Sequence, residues 1–297
     1  MAPAEDHLRI SWAQHWEDVR LWRVLRGREP GFYVDVGAMD PSEDSVTRSF
    51  YERGWRGLNV EPNPFYAQRL RDERPLDLVE EVACGPERGK ATLHVVTSAE
   101  GEHGGLTTLD TGYADRHRAE GNRVTTVAVE VAPLRELMES TPARDAASFH
   151  FLKVDVEGNE AAVLAGADLN RFRPLVVIVE AREPGGARET YAEGERILVD
   201  AGFATAADDG LNRWYVRSED AHLAETLAPE VNPLLDGLPR RWWELRREQE
   251  LVEGMQKLKT AWQDKSDELE AAYASRSWRV TAPLRSAGRF LRRAPRG

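Results

Sequence analysis

Short apolar runs alternate with longer amphipathic stretches along most of the chain. The runs are rich in β-branched residues or Leu and bounded by Gly, Pro or Asp, which predicts strands at 31–36, 57–61, 76–83, 91–96, 124–130, 149–155, 174–180 and 213–217. The stretches between them predict helices, most clearly at 8–26, 42–53, 64–73, 132–139, 159–167 and 188–201. Ser42 and Asn159 are predicted as helix N-caps. Alternating strands and helices predict an α/β fold, with a mainly parallel sheet covered by helices on both faces.

Two stretches depart from this alternation. Residues 97–123 turn polar and Gly-rich, which predicts a long functional or disordered loop. Beyond Pro239 a four-three spacing of apolar positions predicts a short, imperfect coiled coil, with core positions Leu251, Met255, Leu258, Trp262, Lys265, Leu269 and Ala272. We therefore expect three parts: a domain over residues 1–236, a helical coiled-coil segment over 237–273, and a basic amphipathic tail over 274–297.

Composition narrows the class of protein. The 297 residues are 41% hydrophobic, which suits one α/β domain plus an appendage. A formal charge of −11 argues against nucleic-acid binding, and the single cysteine, Cys84, excludes a disulfide framework or a thiolate zinc cluster. The first residues lack a signal-peptide core, and no run of about 18 apolar residues occurs. We therefore expect a cytoplasmic protein without a membrane span.

Acidic residues follow two of the predicted strands at Gly turns. Residues 151–160 read FLKVDVEGNE, an apolar strand that ends in Asp155 and Glu157 before a helix. Residues 31–37 read GFYVDVG, which repeats the design with Asp35. Ligands of open α/β sheets lie at the carboxyl ends of the strands, so two acidic ends indicate a site that handles a cation. The alternative is that these acids only cap the following helices.

A nucleotide is the first ligand to consider. Dinucleotide folds use G-x-G-x-x-G so that a pyrophosphate can approach the backbone, whereas residues 36–44 read VGAMDPSED, with one Gly and three acids that would repel it. S-adenosylmethionine has no phosphate and carries a sulfonium cation, so an acid-lined turn suits it. Glu61 ends the next strand, where it is placed to accept both ribose hydroxyls. These residues predict an S-adenosylmethionine site.

The order of motifs resembles that of one family. The chain contains, in sequence, SWAQHWEDVRLWRVL, FYVDVGAMDPSEDSVTRSFYERGWRGLNVEPNP, GGLTTLD, FLKVDVEGNEAAVLAGAD, RPLVVIVEA and DGLNRWYV. Over roughly residues 8–235 it resembles the FkbM family of S-adenosylmethionine-dependent O-methyltransferases, in the branch that accompanies bacterial polysaccharide gene sets. The resemblance implies a Rossmann-like class I methyltransferase fold with a seven-stranded, mostly parallel sheet. It implies that Asp35, Gly37 and Glu61 contact the cofactor and that Gln14 packs over it. Ser45, Ala83 and Asp155 are further predicted cofactor contacts.

Methyl transfer to a hydroxyl needs a group that helps remove the hydroxyl proton. Asp155 and Glu157 are the best-placed candidates, with Glu180 at the end of the neighbouring strand. If Mg²⁺ assists, the expected ligands are Asp155, Glu180 and Asp209, and the sequence leaves the direct base and the metal both open. Acceptor contacts are predicted at His103, Asn212 and Arg213.

Three classes of function compete at this point. The missing glycine fingerprint counts against a nicotinamide oxidoreductase, and the retained acids count against a non-catalytic scaffold. The prediction is an O-methyltransferase that acts on a sugar or glycan hydroxyl in bacterial polysaccharide biosynthesis, with a small natural product as the alternative acceptor. Residues 251–272 predict contacts in a homo-oligomer. The tail holds seven Arg and no acid, which predicts contact with an anionic membrane surface or a glycan-assembly partner.

Overall fold

The structure is a computed structural model that describes residues 7–28, 30–97, 107–181, 191–232, 234–237, 239–281 and 283. It divides into two compact units, Met1–Arg241 and Trp242–Gly297, whereas the predicted boundary lies between residues 236 and 237. Two predictions concern residues outside the described ranges: the acceptor contact of His103, and most of the basic tail.

The strands lie in the first unit. In chain order they are β1 (Ile10–Ser11), β2 (Phe32–Val36), β3 (Arg56–Val60), β4 (Leu78–Glu80), β5 (Ala83–Cys84), β6 (Gly89–Thr97), β7 (Arg123–Ala132), β8 (Phe149–Val154), β9 (Val176–Glu180), β10 (Phe203–Asp208), β11 (Asn212–Arg217) and β12 (Arg240–Arg241). The helices of this unit are α1 (Glu17–Leu25), α2 (Arg48–Tyr51), α3 (Pro64–Glu73), α4 (Thr111–Ala119), α5 (Leu134–Met138), α6 (Glu160–Ala165), α7 (Ala192–Asp200) and α8 (Ala224–Leu227).

The central sheet has seven strands in the order β10-β11-β9-β8-β2-β3-β4. Strands β9, β8, β2, β3 and β4 pair in parallel, and β11 is antiparallel to both β9 and β10. This arrangement confirms the predicted seven-stranded, mostly parallel sheet. Strand β10 was not predicted, because its sequence FATAAD is rich in Ala and short of the β-branched residues that favour strands.

The predicted strand at 76–83 is two strands that belong to different sheets. Strand β4 is at the edge of the central sheet, and β5 pairs with β7 in a separate three-stranded sheet of order β5-β7-β6. Strands β6 and β7, predicted at 91–96 and 124–130, pair over their whole length as an antiparallel ribbon. The sequence pattern locates these strands correctly but does not say which sheet each one joins.

Helices cover both faces of the central sheet, as predicted. In β2, Val34 and Val36 pack in an apolar cluster that includes residues of α5, α6 and α7. Tyr33, which directly precedes Val34, packs in a second cluster that includes residues of α1, α2 and α8. Side chains of a strand alternate between its two faces, so the fully buried strand β2 needs a cover on each side.

The predicted helix at 8–26 is a helix only over α1. Residues 10–11 form β1 instead, which pairs in parallel with β12, and Trp16 lies in the left-handed region at φ 66°. The buried carboxylate of Asp18 holds this turn by accepting hydrogen bonds from Ser11 Oγ at 2.7 Å, Trp12 N at 2.9 Å, Val19 N at 2.8 Å and Ser49 Oγ at 2.8 Å. A partner strand more than 200 residues away decides this local structure.

The predicted helix at 42–53 shrinks to α2, so Ser42 is not its N-cap. The preceding loop is held by Arg74, a fully buried side chain that donates hydrogen bonds to Pro41 O, to Ser45 Oγ at 2.5 Å and to Thr47 Oγ1 at 2.7 Å. The predicted loop at 97–123 contains α4, where Asp110 accepts from Tyr113 N at 2.8 Å and caps the helix. Asn159 precedes α6, but the Glu160 carboxylate accepts the Gly158 N–H there at 2.9 Å.

The second unit consists of α9 (Trp242–Ala274) and α10 (Arg276–Val280). The apolar side chains of α9 that were predicted as coiled-coil core are exposed, from 54% at Leu269 to 73% at Leu258. Among the helices that the structure describes, none is both long and apolar enough to cross a membrane.

The Asp18 network generates a stability prediction. Asp18→Ala leaves four donors without their acceptor, three from the β1–α1 region and one from Ser49 of α2, each costing about 1–3 kcal/mol when it stays buried. We expect a loss of at least about 3 kcal/mol in the free energy of unfolding, measured by urea denaturation. Asp200→Ala, at an exposed position, is the matched control and should change stability by less than about 0.5 kcal/mol. Equal stability of the two variants would contradict the role of the network.

Candidate functional site

The carboxyl ends of four parallel strands meet at one edge of the sheet. Asp35 is near the end of β2, Glu61 follows β3, Asp155 follows β8 and Glu180 ends β9. Asp35, Glu61 and Glu180 are only 1%, 5% and 6% exposed. The structure therefore brings together the acids that the sequence predicted for this edge. Burial disfavours an ionised carboxylate there unless the carboxylate has a hydrogen-bonding or oppositely charged partner.

Lys153 supplies a positive charge among these acids. It lies opposite Asp35 in the pairing of β8 with β2, and its Nζ is 3.1 Å from Asp155 Oδ2 and 3.7 Å from Asp35 Oδ1. Burial lowers the pKa of Lys153, but the charges of Asp155 and Asp35 outweigh it and raise the pKa above its usual value. Lys153 was not predicted as a site residue, although a lysine inside the apolar run FLKV indicates an acidic partner.

A cavity opens beside these strand ends. Its lining includes Gly37, Glu61, Ala83, Asp155 and Glu157, together with Met39, Tyr66, Cys84, Leu93, Thr107 and Asn159. Gly37 has φ +77°, and a Cβ built there would lie 1.7 Å from the backbone oxygen of Asp155. The two turns that carry the acids can pack this closely only because residue 37 has no side chain.

Glu61 is held rigidly in this lining. Its carboxylate accepts hydrogen bonds from Met39 N at 2.9 Å and from Asn63 N at 2.8 Å. Burial raises the pKa of Glu61 to about 7, against the lowering effect of these two hydrogen bonds. A carboxylate has about four acceptor positions, so Glu61 keeps capacity for two further donors such as the hydroxyls of a ribose.

Two further polar groups of the lining lack partners. The Thr107 hydroxyl and the Asn159 side-chain amide nitrogen are buried, and neither makes a hydrogen bond within the described residues. Buried polar groups without partners are rare in folded proteins and indicate a ligand or water. Donor and acceptor groups of this kind fit the amino, carboxylate and hydroxyl groups of S-adenosylmethionine.

Three carboxylates cluster at this edge, and two of them, Asp155 and Glu157, belong to the cavity lining. Oxygens of Asp155, Glu157 and Glu180 lie within 4.8 Å of one another. Glu157 adopts φ 55°, and its carboxylate accepts a hydrogen bond from the Tyr113 hydroxyl at 2.7 Å. Burial, and then the charge of Asp155, raise the pKa of Glu157 to about 8 and that of Glu180 to about 11. Tyr113, which belongs to α4, had no signal in the sequence because α4 falls in a predicted loop.

Helix α1 contacts this edge of the sheet through its first residue, Glu17. Glu17 is buried, and its carboxylate accepts from Asn212 Nδ2 at 3.0 Å and from His15 N at 2.7 Å. Asn212 is the first residue of β11 and pairs in register with Glu180. The predicted acceptor residue Asn212 is therefore buried at 3% exposure and bound to Glu17, at the edge of the acidic site.

Other predicted site residues lie apart from the cavity. Gln14 is exposed, Ser45 bonds to Arg74 beneath the loop, and Arg213 pairs with Glu195 at 3.0 Å. None of the three is in the cavity lining within the described chain. Asp209 accepts from Trp214 Nε1 at 2.7 Å and from Asn212 N at 2.7 Å. Glu157 takes the position in the acidic cluster that was expected for Asp209.

The seven-stranded sheet, with its acid-lined cavity at the carboxyl edge, defines a class I methyltransferase fold. The family model described as "Methyltransferase FkbM domain" matches residues 35–205, which is more than half of the chain. The chain therefore belongs to the FkbM methyltransferase family, as its motifs predict. No curated protein matches it in sequence.

Solved structures resemble the chain at low identity. Precorrin-6y C5,15-methyltransferase from Geobacter metallireducens GS-15 is 13% identical, over 67% of this chain and 85% of that chain, with a TM-score of 0.35. A TehB-like SAM-dependent methyltransferase from Corynebacterium glutamicum is 9% identical, over 68% and 87%, with a TM-score of 0.34. Magnesium protoporphyrin IX methyltransferase from Synechocystis PCC 6803 is 12% identical, over 68% and 77%, with a TM-score of 0.37.

The raised pKa of Glu61 predicts a pH dependence of stability. Since its pKa is about 7 in the folded protein against a usual 4.5, the folded state binds this proton more tightly than the unfolded chain. The resulting stabilisation is present below pH 4.5 and is lost as the pH rises through about 7. We expect Glu61→Gln to lose less unfolding free energy between about pH 5 and pH 8 than the unsubstituted protein, by on the order of 1–3 kcal/mol.

Urea unfolding at both pH values measures this difference. The exposed Glu80→Gln is the control and should follow the unsubstituted protein. The same pH slope in all three proteins would show that Glu61 is ionised normally in the folded state.

Proposed function

We propose that the protein transfers the methyl group of S-adenosylmethionine to a hydroxyl oxygen of a sugar or glycan. The single observation that carries the proposal is the cavity at the carboxyl edge, where the turn at Gly37, the ribose-type acid Glu61 and the acid Asp155 line one space. This lining carries acids where a phosphate-containing cofactor would need donors. The bound cofactor supplies an electrophilic methyl group on a sulfonium centre.

Three residues support the cofactor side of the proposal. Glu61 offers two free acceptor positions to a ribose, and the Thr107 hydroxyl and the Asn159 amide nitrogen, which are buried without a partner among the described residues, are available to polar groups of the ligand. The apolar lining residues Val60, Val82 and Leu93 suit the adenine ring. The carboxylate of Asp155, which also lines the cavity, complements the sulfonium charge.

Asp155 is the residue that supports transfer to oxygen. Its side chain is 34% exposed, whereas Glu157 and Glu180 are buried. Lys153 Nζ donates to Asp155 Oδ2 at 3.1 Å, so Oδ1 remains to accept a proton. The acceptor hydroxyl gives this proton to Asp155 as its oxygen bonds to the methyl carbon and the carbon–sulfur bond breaks. A neutral hydroxyl needs such a base more than an amine or a thiolate does.

The proposed function is tested with the full chain, methyl-labelled S-adenosylmethionine and a panel of bacterial oligosaccharides. We expect the label in a methyl ether, identified by mass spectrometry of the hydrolysed sugars. Asp155→Asn should lower kcat at saturating S-adenosylmethionine by about 100-fold or more, a larger effect than the loss of cofactor affinity that calorimetry detects. Asp200→Asn, on the exposed end of α7, should leave kcat unchanged. Label found only on nitrogen or sulfur acceptors, or an undiminished kcat in Asp155→Asn, would refute the proposal.

We also propose that α9 associates with a second copy of itself. Its 33 residues include the exposed apolar positions Leu251, Met255, Leu258 and Trp262, spaced four, three and four apart as in a heptad seam. An isolated helix gains little stability in water, and this one has no buried residue among those described. Pairing of two seams would remove these apolar side chains from water.

Sedimentation equilibrium of the full chain tests this association. We expect a dimer that Leu258→Glu converts to a monomer, because a charge at a core position of the seam is costly to bury. Thr260→Glu changes the opposite side of the same turn and should leave the dimer intact. A monomeric unsubstituted chain, or a dimer that survives Leu258→Glu, would rule out this seam.

A further inference from the structure

The oxygens of the acidic cluster are spaced like ligands of a single ion. Asp155 and Glu157 follow β8, Glu180 ends the neighbouring β9, and one oxygen of each lies within 4.8 Å of the others. Oxygens that bind one Mg²⁺ or Ca²⁺ at about 2.0–2.6 Å lie no more than about 4–5 Å apart. Small side-chain movements would therefore place all three around one ion.

Glu180 gives an independent indication of a ligand. Its side chain is 6% exposed and directed into the cluster. Neither a hydrogen bond nor an ion pair holds its carboxylate anywhere in the described parts of the chain. Buried carboxylates almost always have such a partner. Glu157, by comparison, is fixed by the Tyr113 hydroxyl at 2.7 Å, and Asp155 by Lys153 at 3.1 Å.

The carboxylates at this edge can accommodate a cation in addition to Lys153. Among the described residues, the Lys153 ammonium forms ion pairs with Asp155 and Asp35 and with neither Glu157 nor Glu180. Carboxylates that are buried this close to one another repel unless a positive charge lies between them. An all-carboxylate set of hard oxygen ligands favours Mg²⁺, Mn²⁺ or Ca²⁺ over zinc or copper.

We propose that Asp155, Glu157 and Glu180 together bind one divalent cation of the Mg²⁺ type. Three carboxylate ligands leave coordination positions for water and for an acceptor oxygen. A role of the ion in methyl transfer rests on the proposed function, since a cation here would bind the acceptor hydroxyl and favour loss of its proton. The binding itself requires neither methyl donor nor acceptor.

Mn²⁺ is a suitable probe, because electron paramagnetic resonance counts free and bound Mn²⁺ directly. The full chain, freed of metal with a chelator, should bind one Mn²⁺ per chain, and Mg²⁺ should displace it. Glu180→Gln should weaken binding by about 10–100-fold or more. Its thermal unfolding must match that of the unsubstituted protein, and Glu157→Gln is a second variant with the same expected loss should Glu180→Gln fold poorly.

Asp209→Asn is the matched control. Asp209 is at the same edge of the sheet but is committed to Trp214 Nε1 and Asn212 N, so this variant should bind Mn²⁺ like the unsubstituted chain. Absence of stoichiometric Mn²⁺ binding, or binding that Glu180→Gln and Glu157→Gln leave unchanged, overturns the inference. A protein that methylates glycans in excess EDTA but binds no Mn²⁺ refutes the metal site alone. Intact Mn²⁺ binding without methyl transfer to any hydroxyl refutes the proposed function alone.

Discussion

The ammonium group of Lys153 lies 3.1 Å from Asp155 and 3.7 Å from Asp35 at the interior of the sheet edge. Carboxylates from several strand ends could not be buried together in ionised form without an opposite charge among them. Lys153 provides this positive charge. The pairing of β8 with β2 places Lys153 opposite Asp35. Burial raises the pKa of five acids at this edge, and the positive charge of Lys153 reduces each of these rises. The five acids are Glu17, Asp35, Glu61, Glu157 and Glu180.

A second buried cation shapes the loop that follows β2. Arg74, at the end of α3, is fully buried and reaches Pro41 O, Ser45 Oγ and Thr47 Oγ1. Thr47 in turn donates to Asp35 Oδ2 at 3.0 Å. The loop therefore stays irregular where its sequence favours a helix, and the same contacts orient an acid of the site. Fold and site depend here on one set of hydrogen bonds.

The third acid of the cluster is oriented by a segment far away in sequence. Glu157 lies at φ 55°, a conformation that costs energy for a residue with a side chain. The Thr108 hydroxyl donates to its backbone oxygen at 2.7 Å, and the Tyr113 hydroxyl to its carboxylate at 2.7 Å. Contacts from the α4 segment thus offset the backbone strain and direct Glu157 towards Asp155 and Glu180.

The sequence by itself determined the strands of the central sheet other than β10, the acids that reach its carboxyl edge, and the family. These features are local: an apolar run, a Gly turn and a following acid are readable within about ten residues. Only the tertiary structure decided which acids meet. Asp209 turns to Trp214, Glu157 joins Glu180, and Lys153 becomes a shared counter-ion. The positions of Glu157 and Lys153 depend on strand register and on partners distant in sequence, such as Tyr113 for Glu157 and Asp35 for Lys153, because a buried charge is stable only where the folded chain provides a partner.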